Sequence, residues 1–223
     1  MADNDRSGRG LEIAEPETDL LLESASAPPS PLLAVLEQVR SALDGERAAA
    51  PAVFAELAAL APAEALARIC RESRFQTWGL CELLLARSAE LAAADPDAAH
   101  FAALALAGAE RLDPSRHAAA LVEDLKARAW AAVGDARRRA ADLTGAEAAL
   151  RAAATCLSHG TGDLLVEARL LEFEAAVRRG QGRHKEAAAV LKLAAARYRE
   201  TGETERLERA LAEREDILQA GIR

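Results

Sequence analysis

All 8 prolines of this chain lie at or before position 114, and the last 109 residues contain none. Proline is the residue that breaks helices most forcibly, because it lacks an N–H and its ring clashes with the preceding turn. A stretch this long without it is free to form long helices, and glycine is left to punctuate them. Composition supplies the drive to form them. Of 223 residues 51% are apolar but only 3% aromatic, so a core must be built largely from Ala and Leu. Ala loses no side-chain entropy in a helix and Leu loses little. The expected fold class is all-α.

Residues 1–30 mix charge, Ser and Pro without helical period and end in "ASAPPSP". Such a segment cannot bury enough apolar surface to offset chain entropy, so a disordered acidic tail is expected. Within it, "LEIAEPETDLLLE" (11–23) alternates acids with aliphatics, a pattern found in peptides that dock into grooves. Residues 31–73 read as short N-terminal helices near 31–43, 51–60 and 62–73, with Pro51 and Pro62 in favourable first turns. A longer amphipathic helix is expected over 75–94. Asp95-Pro96 and Asp113-Pro114 each read as an N-cap followed by Pro at the first helical position. Residues 74–223 form the third segment, a helical repeat domain.

The net charge of −8 is unevenly placed: residues 1–73 hold 13 acids against 6 basic residues, and the rest is nearly balanced at 23 against 22. Nucleic-acid binding that is indifferent to sequence runs on phosphate neutralisation, and no Lys/Arg-rich patch is available for it. The same argument disfavours anionic membranes. The longest apolar run, "FAALALAGA", is about half of the roughly 18–20 residues that span a bilayer. The N-terminus lacks the basic and apolar regions of a secretory signal. Three widely spaced cysteines (Cys70, Cys81 and Cys156) make no disulfide framework. The expected compartment is the cytoplasm.

One stretch looks like chemistry, "SHGTGD" at 158–163. For phosphate the local charge is wrong: Asp163 occupies the positive end of the next helix, and no Gly-Lys-Ser/Thr is present. The sequence predicts a connector instead. Gly160 ends one helix at the position that needs positive φ, and Asp163 or Thr161 caps the next. His100, His117, His159 and His184 fall in four separate segments without ligand spacing, and no Cys-x2-Cys occurs. No catalytic residue, metal site or cofactor is expected, and the chain does not read as an enzyme.

The strongest internal signal is a repeat. A shift of 41 residues places Trp130 on Leu171, Gly134 on Ala175 and Arg138 on Arg179; it also places Ala146 on Ala187, Leu150 on Leu191 and Ala153 on Ala194. Trp130, Val133, Gly134, Ala146, Leu150 and Ala153, with Asp142-Leu143 at the tight turn, resemble the tetratricopeptide repeat (TPR) family. The resemblance covers 127–154 well, 168–196 fairly, and the chain before 114 weakly. It departs in placing Arg137 and Arg178 where an aromatic is usual, and Glu174 where an apolar residue is usual. Glu174 and Arg178 are four apart and able to pair along the helix. The resemblance implies antiparallel helix pairs stacked as a right-handed α-solenoid, closed by one further helix in "ETERLERALAEREDILQAGIR".

It also implies a ligand groove lined by the first helix of each pair. Those positions are Arg128, Ala131, Asp135 and Arg138 in one repeat, and Arg169, Glu172, Ala176 and Arg179 in the next. Two readings stand: an arginine-lined groove for carboxylates, or solvated faces whose arginines pair with Asp135 and Glu172. The functional expectation is a non-catalytic module binding a protein or peptide partner, acidic in character, in a TPR-like groove. The chain's own acidic tail is one ligand for that groove. "RFQTWGLCELLL" also resembles the lead-in of bacterial regulators that join a helix-turn-helix to TPR-like arrays. Residues 31–73 are net −2 and offer no helix rich in groove-reading side chains, so direct DNA binding does not carry over. The alternative is a regulatory subunit in bacterial transcription or signalling whose N-terminal helices contact another factor.

Overall fold

The computed structural model describes residues 31–91 and 95–220, and within them all regular structure is helical. The acidic tail, with the segment 11–23, lies outside the described residues. The chain divides into two compact units, Met1–Arg40 and Ser41–Arg223. The nine α-helices among the described residues are α1 (Pro31–Ala58), α2 (Pro62–Arg71), α3 (Trp78–Glu90), α4 (Pro96–Ala109), α5 (Ala119–Arg139), α6 (Leu143–Ser158), α7 (Leu164–Gly180), α8 (His184–Thr201) and α9 (Thr204–Ala220). A single 3-10 turn, Ser73–Phe75, sits between α2 and α3.

Helices next to each other in sequence pack in pairs: α3 with α4, α5 with α6, and α7 with α8. Each pair also meets the next, α4 against α5, α6 against α7 and α8 against α9. The first helices touch in succession as well, α3 with α5 and α5 with α7. The residues matched by the 41-residue shift are the ones that make this packing possible. Gly134, Ala146, Ala153, Ala175, Ala187 and Ala194 are all buried. A Cβ on Gly134 would lie 2.3 Å from Phe173 Cζ, so the α5–α7 approach depends on a missing side chain. Leu191 and Tyr198 of α8 close onto Ala210 and Ile217 of α9, which covers the last pair.

Three expectations are corrected. The helices expected at 31–43 and 51–60 are one helix, α1, running through Pro51. Leu43, Glu46, Ala50, Val53 and Leu57 recur every three or four residues on one buried or half-buried face. Packing of that continuous face holds the helix together across a residue that locally disfavours it. The helix expected from Phe75 begins at Trp78, where Thr77 Oγ1 accepts from the Leu80 N–H and Glu46 accepts from the Trp78 N–H at 2.6 Å. Asp113-Pro114 starts no helix. Asp113 closes a turn by accepting from the N–H groups of Ser115 and Arg116 (2.8 and 3.1 Å), and α5 starts only at Ala119. Between them His117 is buried against Trp78, ring centroids 5.6 Å apart.

Asp95 does cap α4, accepting from the Asp97 N–H at 2.9 Å. Asp142 caps α6 through the Gly145 N–H at 2.8 Å, in the tight turn between paired helices. No described helix is long and apolar enough to cross a membrane.

Candidate functional site

The loop at 158–163 joins α6 to α7 as a connector, with one correction. Gly160 does not take positive φ; Gly162 does, at 78°. Gly160 is required for space instead, because a Cβ there would lie 1.9 Å from Asp124 Oδ1. Asp124, buried on α5, accepts from the Thr161 N–H and hydroxyl. Asp163 caps α7 through the Leu165 N–H at 2.7 Å. The loop's polar atoms are thus engaged in holding one helix pair to the next. His159 is exposed, and its Nδ1 lies 3.0 Å from the Thr155 carbonyl.

The arginine faces resolve into paired and unpaired groups. Arg138 binds Asp135 through Nε and Nη2 (2.9 and 2.8 Å), and Arg139 reaches the other oxygen of that carboxylate at 2.5 Å. Arg179 pairs with Glu213 of α9 at 2.9 Å. Glu172 lies near Tyr198 of α8. Burial, then the nearby Glu172 carboxylate, pushes the Tyr198 phenol above its ordinary range, while Arg206 opposes. The Tyr198 hydroxyl is buried and outside hydrogen-bond geometry with any described group. Glu174 and Arg178 pair as their spacing predicts, and Arg178 reaches Glu186 as well.

Arg128 of α5 and Arg169 of α7 differ from these. Neither guanidinium makes a hydrogen bond or an ion pair within 4 Å among the described residues, although both are half-buried. Arg169 Nε is fully enclosed with no partner. Burial lowers the Arg128 pKa, and the Arg169 charge lowers it further, against attraction from Glu82, Asp163 and Asp124. Those three carboxylates are committed elsewhere. Asp163 and Asp124 accept backbone N–H groups, and Glu82 of α3 is held by Arg47 Nε at 2.8 Å. Burial raises the Glu82 pKa, but the Arg47 hydrogen bond and charge outweigh it and hold the group below the usual carboxylate range.

Of the six residues expected in the groove, Asp135 with Arg138, and Arg179, are held in ion pairs, Glu172 lies near Tyr198, and Arg128 and Arg169 make no ion pair among the described residues and repel one another. Glu82, Arg47, Arg206 and Glu213 escaped sequence reasoning. Arg47 and Glu82 are 35 residues apart and meet only through packing of α1 on α3, which leaves no local periodicity to find.

Among the described residues, a metal ion would require convergent His, Cys, Asp or Glu ligands, and a nucleophile a cysteine of lowered pKa. No group of three or more His, Cys, Asp or Glu side chains could hold a metal ion there. Burial pushes the Cys81 thiol up to about 12, and burial with Glu123 pushes Cys156 up to about 11. Both stay protonated at neutral pH, the opposite of an activated nucleophile. A groove of about 430 Å³ between α6 and α7 is lined by four leucines (Leu150, Leu157, Leu170 and Leu171) and by both acidic and basic side chains, Arg151 and Arg178 among the latter. Comparison with known protein families, curated proteins and solved structures finds no match to this chain.

Proposed function

We propose that the chain is a non-catalytic, TPR-like solenoid that binds an acidic peptide or partner helix along the row of first helices α3, α5 and α7. One observation carries this reading: Arg128 and Arg169 are half-buried and repel one another, and neither makes an ion pair or hydrogen bond among the described residues, although Glu82, Asp163 and Asp124 attract Arg128 from beyond ion-pair distance. Like charges brought together in a partly desolvated place are destabilising unless something neutralises them. A ligand carboxylate does so, and the planar fork of each guanidinium suits it. The sequential contacts of first helix to first helix, and the small residues that permit them, support a repeat array that presents such a row to a partner.

The test is a set of acidic, neutral and basic peptides assayed against wild type and an Arg128→Gln/Arg169→Gln variant. Acidic peptides should bind best and weaken with salt, and the double variant should lose at least about tenfold in affinity. Indifference to peptide charge, or unchanged affinity in the double variant, would overturn the proposal.

A further inference from the structure

Arg47 of α1 closes on Glu82 of α3 with one edge of its guanidinium, Nε to Oε2 at 2.8 Å and Nη2 to Oε1 at 3.3 Å. Its Nη1 donates to Asp44, one turn back, at 3.3 Å. A fork that engages both oxygens of a carboxylate fixes the direction of that carboxylate as well as neutralising it. Glu82 has a second cation in range. Helix α3 packs on α5, and among the carboxylates that attract Arg128 the charge of Glu82 acts most strongly. Arg128 acts on Glu82 in return, after Arg47. Both Glu82 oxygens are nevertheless turned to Arg47. Asp163 and Asp124, which also attract Arg128, are fixed by backbone N–H groups. Glu82 is held by a side chain, so it is the one of the three that can be re-aimed.

We propose, resting on the acidic-ligand reading of Arg128 and Arg169, that Glu82 is an internal competitor for Arg128 and that Arg47 is the positioning residue which holds it off. Arg47 thereby keeps Arg128 free for a partner's carboxylate. Without Arg47, a partly buried carboxylate is left unpaired, which is unfavourable, and Arg128 is the cation in range that lacks a partner. A Glu82–Arg128 pair must then open before a ligand binds, and the apparent affinity falls by the fraction of molecules in which it is closed.

The test is a double-mutant cycle on the full chain, read as affinity for a glutamate-rich peptide at low salt. Arg47→Gln should weaken binding about fivefold, and Arg47→Gln/Glu82→Gln should return it to at least wild-type strength. Glu82→Gln alone should change affinity less than about twofold, yet in the Arg47→Gln background it should raise it about fivefold. Those two increments separate re-aiming from simple charge, because removing a fixed charge acts alike in both backgrounds. Arg47 is exposed, so helical circular dichroism should not change. Arg47→Met, which keeps the stem and loses the fork, repeats the cycle if glutamine disturbs the helix. Equal effects of Glu82→Gln in the two backgrounds overturn the proposal. So does a loss in Arg47→Gln that Glu82→Gln leaves in place, the result of a merely structural Arg47. A peptide that ignores Arg47→Gln but weakens with Arg128→Gln/Arg169→Gln overturns the role of Arg47 alone. A peptide indifferent to the loss of both groove arginines overturns the ligand reading, and the role of Arg47 with it.

Discussion

Gly79 shows how much of this molecule is decided by single atoms. It lies where α3 crosses α1, and a Cβ there would sit 2.5 Å from the carbonyl carbon and oxygen of Glu46 and 2.6 Å from the Arg47 nitrogen. Those are backbone atoms, which cannot rotate aside as a side chain would. Gly79→Ala should therefore destabilise the protein by about 1–3 kcal/mol, read as a loss of several degrees in thermal unfolding. Unchanged stability would mean that the helices are not in backbone contact. Sequence spacing alone could not assign this role, because within the helix expected over 75–94 a glycine reads only as a local weakness. Gly134 was legible for the opposite reason: its place in the 41-residue repeat marked it as a close approach, and Phe173 and Ala149 are the groups it approaches. Arg128 and Arg169 lie between these cases. Their spacing put them on a common kind of face, but only packing distinguished them from Arg138 and Arg179, whose partners include Glu213 of a distant helix.

At the scale of elements, caps and the pairing of successive helices were readable and long-range substitutions for them were not. Asp95 caps the helix that follows as expected, Asp163 does so rather than Thr161, and Asp142, expected only at a tight turn, caps α6 as well. The break expected at Pro51 failed because the rule that proline ends helices is local, whereas the buried face of α1 is set by what it packs against. Pro51 remains a cost inside that helix: it cannot donate to the Arg47 carbonyl, and its ring crowds it. Pro51 is exposed, so Pro51→Ala should raise stability by about 1–3 kcal/mol without altering any packed contact. Denaturant unfolding checks this, and a variant less stable than wild type would show that the proline is needed for the path of α1. Asp113-Pro114 failed in the other direction. The local signature was present, but burial of His117 against Trp78 and Glu46 draws the chain into a turn before α5 can begin.

For the Ser41–Arg223 unit taken whole, the apolar cores follow chain order. Leu57, Ile69, Phe75, Leu84 and Leu104 form one cluster, Trp78, Leu112 and Leu125 the next. Phe173 and Val177 with Ala146 and Ala153 form a third, and Leu191, Tyr198 and Ile217 a fourth. Each is linked to its neighbour through a shared helix, so stability is distributed rather than pooled. Leu57 is fully buried, and Leu57→Ala should cost about 2–5 kcal/mol. Native-state hydrogen exchange should show that cost as faster opening in α1 to α4, with α7 to α9 near wild-type rates. Uniform acceleration across all helices would instead mean that the unit unfolds as one cooperative body.

The Glu46 carboxylate has a bearing on the order of events as the chain is made. It satisfies the backbone N–H of Trp78 and binds Arg116 at 2.9 Å, joining α1 to the start of α3 and to the turn before α5. Synthesis delivers α1 first, yet every group that Glu46 serves emerges later, Arg116 last of all. During translation the carboxylate accepts hydrogen bonds from water alone until those groups are made. The N-terminal edge of the Ser41–Arg223 unit is thus completed backwards, by residues from the middle of the chain.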